Sequence, residues 1–420
     1  MRLSEFIEYE ATDRAERRRL AKDKSYEILD RLDGVGEQFA EIADTNEFGS
    51  VSPSIFVGRA GYPEVSTGLL SPVGNEANAA EFATSGEWYT EGVSISDVFE
   101  RRTSLLNASQ SSPVETNVHD AWNGFLGVQR EVAIADRPVS VEVGLNGSPD
   151  LDLGLSPGDV STPTGPRAPA KDATLTENPH VPRPVKKTLE DDDWAATGAM
   201  NYLYNRGFDV YEINTILSAG ALGQQDNRRL VPTRWSITAV DDTVGQFLRG
   251  KQRTATSVDS VQVFHNEYLG NSFWVILAPG QWEFELVEFK APGSVWNPDP
   301  EAGIWLASDY EGNSGRTSYV DQTAGAYYAA RLAVLEHLDE IGRQAKVLVL
   351  RHVSDEYWGP VGVWQVREAI RHAFDGEHGE SETFDAAVKG IVDRLPVSMA
   401  DLRRQSTLAA GRQSGLDAFL

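Results

Sequence analysis

Eight of the twenty prolines fall between Ser148 and Pro184, mixed with Gly, Ser, Thr and Asp. Proline fixes φ and carries no amide hydrogen, so a stretch of this density is a poor helix and a poor sheet strand. The segment is expected to be a long loop or interdomain connection. It divides the chain into an N-terminal domain (1–147), a linker (148–184), a core domain (185–402) and a C-terminal tail (403–420). With 420 residues there is ample sequence for more than one hydrophobic core.

Hydrophobic periodicity fills in the elements on either side. Val139, Val141, Val143 and Leu145 alternate with small or polar residues, the period of a half-buried strand. From Asp13 to Leu32 the apolar positions Leu20, Ile28, Leu29 and Leu32 suit an amphipathic helix. Its Arg14, Arg17, Arg18 and Arg19 are either a solvated face or a nucleic-acid contact. Beyond the linker, Trp194 to Arg206 and Val210 to Leu217 suit two short helices separated at Gly207. Trp235 to Val240 suits a strand, with Asp241 and Asp242 opening a helix that runs to Arg249. Val261 to His265, Ser272 to Ala278 and Gln281 to Lys290 suit three strands, the last two joined as a hairpin at Pro279-Gly280. Tyr328, Leu332, Leu335, Leu338 and Ile341 form the stripe of a long helix, followed by a buried strand at Val347 to Leu350. Val363, Val366, Ile370 and Phe374 mark another helix. Strands first and helices later favour an α+β fold, mixed in composition, over a doubly wound sheet.

Net charge is −25, and the basic residues comprise nine lysines and 29 arginines. The acidic excess is spread along the whole chain, as suits a halophilic protein whose surface repulsion is screened within about 3 Å at molar ionic strength. A mimic of an acidic ligand would concentrate that charge in one block, and no block is visible. There is no cysteine, which excludes disulfides, thiolate zinc sites, iron–sulfur clusters and cysteine nucleophiles. No apolar run approaches the roughly 20 residues that span a bilayer, and the N-terminus lacks the apolar stretch of a secretory signal. A cytoplasmic protein with no membrane partner is expected. Walker-type and G-x-G-x-x-G phosphate loops are absent, as is any H-E-x-x-H pair.

The last eight residues place Gln413, Leu416, Phe419 and Leu420 at i, i+3, i+6 and i+7. In a turn of 3₁₀ helix, residues three apart eclipse, so Leu416 and Phe419 can point together as an apolar plug. The octet resembles the PIP motif with which replication and repair proteins dock on the sliding clamp PCNA. That resemblance implies a polar pocket for Gln413 and an apolar one for the plug, with Leu420 where a second aromatic is usual. A tail folded back on its own domain is the alternative.

Three further stretches stand out: Gly58-Arg59-Ala60-Gly61-Tyr62-Pro63, Val231-Pro232-Thr233-Arg234-Trp235-Ser236-Ile237-Thr238-Ala239-Val240-Asp241-Asp242, and Gly325-Ala326-Tyr327-Tyr328-Ala329-Ala330-Arg331-Leu332. Together with the terminal octet they resemble the archaeal Nre family of DNA repair proteins, in its haloarchaeal form. The resemblance implies a part in repairing damaged DNA and recruitment by PCNA through Gln413 to Leu420. It implies no particular reaction. Some members carry a cysteine zinc site, which this chain cannot have.

Within those stretches Arg59, Tyr62, Arg234, Arg316, Tyr327 and Arg331 combine guanidinium groups with aromatic rings or exposed turns. Arginine binds phosphate bidentately and stacks on bases, so these are candidates for a nucleic-acid or nucleotide site; structural ion pairs are the alternative. A nuclease reading is also open. Glu288-Phe289-Lys290 has the E-x-K form in which a carboxylate holds Mg²⁺ or Mn²⁺ and a lysine stands by the attacking water. Glu288 and Lys290 would share a strand face and Glu283 and Glu285 the opposite one, so Asp241 or Asp242 would have to supply the companion carboxylate. Solvated strand residues and a helix N-cap are the competing accounts. No metal ligand set and no cofactor are otherwise assigned, and a repair adaptor without catalysis is a further possibility.

Overall fold

A computed structural model describes residues 39, 42, 47–115, 121–150, 162–297 and 299–411. The helix expected over Asp13 to Leu32 lies outside them. The chain divides into two compact units, one formed by the described residues up to Val244 apart from Thr162, the other by those from Gly245 to Gly411. The division therefore falls at residue 244, not in the Pro-rich segment. Helices and strands are mixed as an α+β fold requires, and no described helix is long and apolar enough to cross a membrane.

In the first unit β1 (Glu47–Ser52) and β2 (Ser54–Val57) are the halves of one strand interrupted at Pro53. Next come β3 (Glu64–Pro72), β4 (Leu105–Pro113), helix α1 (Gly124–Ile134), β5 (Val139–Leu145) and β6 (Arg167–Leu175). The alternation seen in the sequence is β5, whose Val139, Val141, Val143 and Leu145 enter the core. β2 pairs with β3, β3 with β4, β6 with β5, and β5 with β1, all antiparallel, while β4 and β6 are parallel. The circuit β2-β3-β4-β6-β5-β1 returns to its start through Pro53 and closes a barrel. Counting β1 and β2 as the first strand, the order is first, second, third, fifth, fourth and back to first, with a helix between third and fourth. This is the connectivity of the oligonucleotide/oligosaccharide-binding (OB) barrel.

Hydrogen bonds hold the closure. The Ser50 hydroxyl donates to the Pro72 carbonyl at 2.7 Å, and the Ser52 hydroxyl to the Leu70 carbonyl at 2.9 Å. Helix α1 adds Phe125 and Val132 to the apolar core, and its buried Gln129 amide donates to the carbonyls of Phe56 and Gly68.

β6 corrects the expectation of a linker over 148–184. Proline is tolerated there because the ladder is already broken around it. Pro169 sits at the end of a three-residue pairing with β4, beside a register shift in the pairing with β5. Its carbonyl accepts from the Asn146 amide at 2.7 Å, and the Gln110 side chain donates to the carbonyls of Ala170 and Lys171.

Helices α2 (Ala196–Tyr204) and α3 (Val210–Ser218) flank Gly207, which adopts φ +87°, as the sequence suggests. Helix α4 (Thr233–Gln252) corrects another expectation, because Trp235 to Val240 is helical and not a strand. β-branched and aromatic residues gave a strand-like composition. The buried positions Ser236, Val240, Val244 and Leu248 nevertheless recur every four residues, and burial of that stripe outweighs local propensity. Asp241 thus lies in mid-helix, not at an N-cap.

The second unit is built on β8 (Val261–Tyr268), β9 (Asn271–Ala278), β10 (Glu283–Lys290), β11 (Trp305–Glu311), β13 (Lys346–Val353) and β14 (Gly379–Ser381), with a short pair, β7 (Thr256–Ser257) and β12 (Arg343–Gln344), apart from them. Sheet order is β11-β10-β13-β9-β8-β14. The hairpin expected at Pro279-Gly280 does not form, because β13 inserts between β9 and β10, parallel to β10. β13 is buried along nearly its whole length, which demands a central place in the sheet. The actual hairpin is β8–β9, turning at Leu269-Gly270, where both residues have positive φ.

Helices α5 (Ala324–Glu340) and α6 (Trp364–Ala373) cover one face, where the Phe284 and Tyr327 rings meet at 5.1 Å. α7 (Phe384–Val392) and α8 (Met399–Gln405) cover the other, adding Val388, Ile391 and Leu402 to Val263, Ile276 and Leu350. Ile341, placed on the α5 stripe by periodicity, lies just past the helix end and is exposed.

If the serine bonds close the barrel, Ser50→Ala and Ser52→Ala should each lower the unfolding free energy by about 1 kcal/mol. Ser111→Ala, on the outer surface of β4, should change it by less than about 0.5 kcal/mol. Denaturant titration at fixed salt measures all three.

Candidate nucleic-acid interface

The loop joining β2 to β3 is short and sharply folded. Gly58 donates to the Ser66 carbonyl at 2.7 Å, and Glu64 donates to the Gly61 carbonyl at 3.0 Å. Gly61 has φ +83°, and a Cβ there would lie 2.7 Å from the Glu64 carbonyl oxygen, so glycine is required. A cis peptide joins Tyr62 to Pro63.

The first residue of α4 is fastened to the base of this loop. Thr233 Oγ1 accepts from the Val57 amide at 2.9 Å and shares a hydrogen bond with the Ser218 hydroxyl at 3.1 Å. Two stretches far apart in sequence therefore meet, and the rings of Tyr62 and Trp235 pack with centroids 5.3 Å apart, tilted by 56°. Both remain open to solvent, Tyr62 51% and Trp235 45% exposed. Arg59 and Arg234 flank them, also exposed, and neither side chain has an ion-pair partner among the described residues. A pair of accessible aromatic faces beside two unpaired guanidinium groups can stack on bases and bind phosphate.

Arg316, Tyr327 and Arg331 lie in the second unit and are engaged otherwise. Arg331 is 1% exposed, with Nη1 3.0 Å from Glu311 Oε2. Its guanidinium also lies against the Tyr327 and Tyr328 rings. Removing one partner of such a buried pair costs about 3–5 kcal/mol, which marks it as a structural element. Tyr327 is wholly buried, and burial pushes its hydroxyl well up. Arg316 donates to the carbonyls of Tyr310, Ser318 and Tyr319, steadying the chain that leads into α5. Asp309 completes this arrangement by accepting from the amides of Asp321, Gln322 and Thr323 and from the Thr323 hydroxyl, at 2.7–3.0 Å. Burial alone would raise its carboxyl, but these bonds outweigh burial and hold it below the ordinary range.

The E-x-K pair faces one side of β10 as expected, but in a setting unlike that of a metal-dependent nuclease. Glu288 is buried, with Oε1 2.5 Å from Arg351 and Oε2 3.2 Å from Lys290. Lys290 also lies 4.2 Å from the centre of the Trp305 ring. Two cations surround one carboxylate, the opposite of the charge balance that would draw a divalent ion. Asp241 is 1% exposed within α4, with Asp242 beside it. Among the described residues no group of three His, Asp or Glu side chains is placed to hold a metal.

Glu285, on the opposite face of β10, has a role that sequence reasoning missed. It accepts from the Ser406 hydroxyl and from the Thr407 and Leu408 amides, at 2.7–2.8 Å. Burial pushes its carboxyl up against the pull of those bonds. Trp235 was also missed as a site residue; its place beside Arg234 in the most distinctive run was the available signal. Gln413, Leu416, Phe419 and Leu420 lie outside the described residues.

Comparison with known proteins decides the lineage. The model described as archaeal Nre, N-terminal, matches residues 20–297, and that described as archaeal Nre, C-terminal, matches residues 311–419. The chain belongs to the archaeal Nre family. It is 67% identical to the DNA repair protein NreA of Haloferax volcanii over the full length of both chains. It is 38% identical to the DNA repair protein NreA of Archaeoglobus fulgidus, over 85% of this chain and 88% of the relative. A second Archaeoglobus fulgidus relative, DNA repair protein NreB, is 35% identical over 89% of this chain and 91% of its own. No solved structure matches the chain. The Nre N-terminal region carries the whole Tyr62–Trp235 surface, while Asp309 precedes and Arg331 lies within the Nre C-terminal region.

The Asp309 contacts give a pH signature. Its folded value lies below that of the unfolded chain, near 3.9, so its stabilisation is complete above that pH and disappears as pH falls through the folded value. Asp309→Asn should cost about 2 kcal/mol at neutral pH. Its stability gap from the wild type should close in acid. A gap that stays constant down to about pH 2 would contradict the anchoring.

Proposed function

We propose that this Nre-family chain is a DNA repair factor that engages DNA through Arg59, Tyr62, Arg234 and Trp235 and reaches its substrate on the sliding clamp PCNA. The observation that carries the DNA reading is the exposed Tyr62–Trp235 pair with its two unpaired arginines. Two accessible aromatic rings side by side form a stacking platform for bases. Stacking also suits a protein of charge −25 in concentrated salt, because base–aromatic contact survives ionic strength that weakens phosphate attraction. The names of the relatives support the repair process. Clamp recruitment rests on the terminal octet, Gln413 to Leu420, whose spacing suits an apolar plug and a polar anchor. Tethering by that octet would raise the local DNA concentration and offset a modest intrinsic affinity.

Fluorescence anisotropy with labelled oligonucleotides over a salt series tests the surface. Tyr62→Ala and Trp235→Ala should each weaken DNA binding by about 5- to 150-fold, the range of one stacked base. Arg59→Gln and Arg234→Gln should each reduce the salt slope by about one. Unchanged affinity in the two aromatic variants would remove this surface from the account.

The clamp arm is separable. Phe419→Ala should weaken binding to the organism's PCNA by about 30-fold or more, as for an interface anchor. Tyr62→Ala should leave clamp binding intact. Clamp affinity that is indifferent to Phe419→Ala would overturn the recruitment reading.

A further inference from the structure

The barrel supplies a binding surface larger than the aromatic pair, and its charge is unevenly distributed. In an antiparallel pair directly opposed residues share a face, so the β3–β4 register sets Ser66 against Ser111 and Gly68 against Ser109 on the outside. Thr67, Leu69, Leu106 and Ala108 are buried on the inside. The accessible part of this outer strip therefore carries the hydroxyls of Ser66, Ser109 and Ser111, with Glu64 its one carboxylate, at the loop end, while Gly68 and Asn107 farther along are buried. Exposed carboxylates stand at Glu47 on β1, Glu142 on β5 and Asp172 on β6, the last beside the exposed cations Arg167 and Lys171, while β2 has none. The β2–β3–β4 side of the barrel thus carries a single carboxylate. That side runs into the loop bearing Arg59 and Tyr62, with Arg234 and Trp235 packed alongside.

In barrels of this connectivity the face of the second and third strands and the loop between the first and second are where oligonucleotides lie. Connectivity alone does not establish a ligand. Here the carboxylate-poor strip is β3–β4, those same strands, and the aromatic surface is that same loop. The chemistry of the surface also discriminates between ligands. A duplex presents two phosphate backbones with its bases stacked inside, and binding it calls for a broad cationic surface. A single strand offers base faces to aromatic rings and one phosphate chain to two arginines.

We infer that this barrel is a single-stranded-DNA-binding module of the OB type, taking the strand across the outer face of β3 and β4 with bases stacked at Tyr62 and Trp235. The inference rests on the DNA-binding reading above and specifies the form of DNA and the path it follows. No covalent step is involved.

The test uses the purified full-length chain and anisotropy at fixed molar salt. The probes are a labelled oligodeoxythymidylate of about 16 nucleotides, a duplex of equal length and an oligouridylate of equal length. The single DNA strand should bind at least about tenfold more tightly than the duplex, a difference of about 1.4 kcal/mol. Ser109→Glu and Ser111→Glu should each weaken single-strand binding by about tenfold by placing a carboxylate under the phosphate path. Thr174→Glu, on the exposed outer face of β6, should leave it unchanged. Thermal unfolding of the three variants, expected to match the wild type, shows that the barrel is intact.

A duplex bound as tightly as the single strand would overturn this inference while leaving the proposed function standing. Tighter binding of the oligouridylate than of the oligodeoxythymidylate would overturn the DNA assignment. No binding to any probe would overturn both readings. Equal loss from Thr174→Glu and Ser111→Glu would show a general charge effect and refute the path.

Discussion

The hydrogen bond from the Val57 amide to the Thr233 hydroxyl joins residues 176 positions apart, and the proposed nucleic-acid surface depends on it. It satisfies the last amide of β2, fixes the start of α4 and sets Trp235 over the loop that carries Tyr62. One neutral hydrogen bond contributes only about 1 kcal/mol. Here its effect is geometric, because each end is held by a rigid element. The barrel, closed by Ser50 and Ser52, holds one; the stripe of Ser236, Val240, Val244 and Leu248 holds the other.

The second constraint is charge. A chain with 63 acidic and 38 basic residues offers many carboxylates to its cations. In the interior Arg331 pairs with Glu311 and Arg351 with Glu288, and the half-buried Arg371 pairs with Glu336 and Glu368. Several exposed arginines, Arg167, Arg183 and Arg253 among them, have no ion-pair partner among the described residues, so it is the neighbouring aromatic pair that distinguishes Arg59 and Arg234. Arg59 and Arg234 stand beside the aromatic pair, next to the barrel face with the fewest carboxylates. Dense surface charge keeps the molecule hydrated in salt, and the carboxylate-poor strip is where a polyanion meets least repulsion.

Much of this was legible in the sequence. Alternation at Val139 to Leu145 gave β5, and the E-x-K spacing placed Glu288 and Glu285 on opposite faces of β10. The runs around Arg59 and Arg234 were recognised separately as matching one family. Their meeting was not legible, since it depends on a hydrogen bond between residues distant in sequence. Barrel closure was hidden by Pro169, because a strand interrupted by a bulge reads locally as a linker. The helical state of Trp235 to Val240 was hidden by β-branched composition, which burial outweighs. For Arg331 and Tyr327 the sequence showed chemistry without burial, and burial assigns them to the structure of the second unit.

The central claim is that nucleic acid lies against Tyr62 and Trp235. It is tested most directly by photocrosslinking the full-length chain to a single-stranded oligodeoxynucleotide carrying 5-iodouracil, followed by mass spectrometric mapping of the crosslinked peptides. The expected result is adducts on the peptides containing Tyr62 or Trp235, competed away by unlabelled single strand. Adducts confined to residues from Gly245 onward, with none on either peptide, would contradict the account.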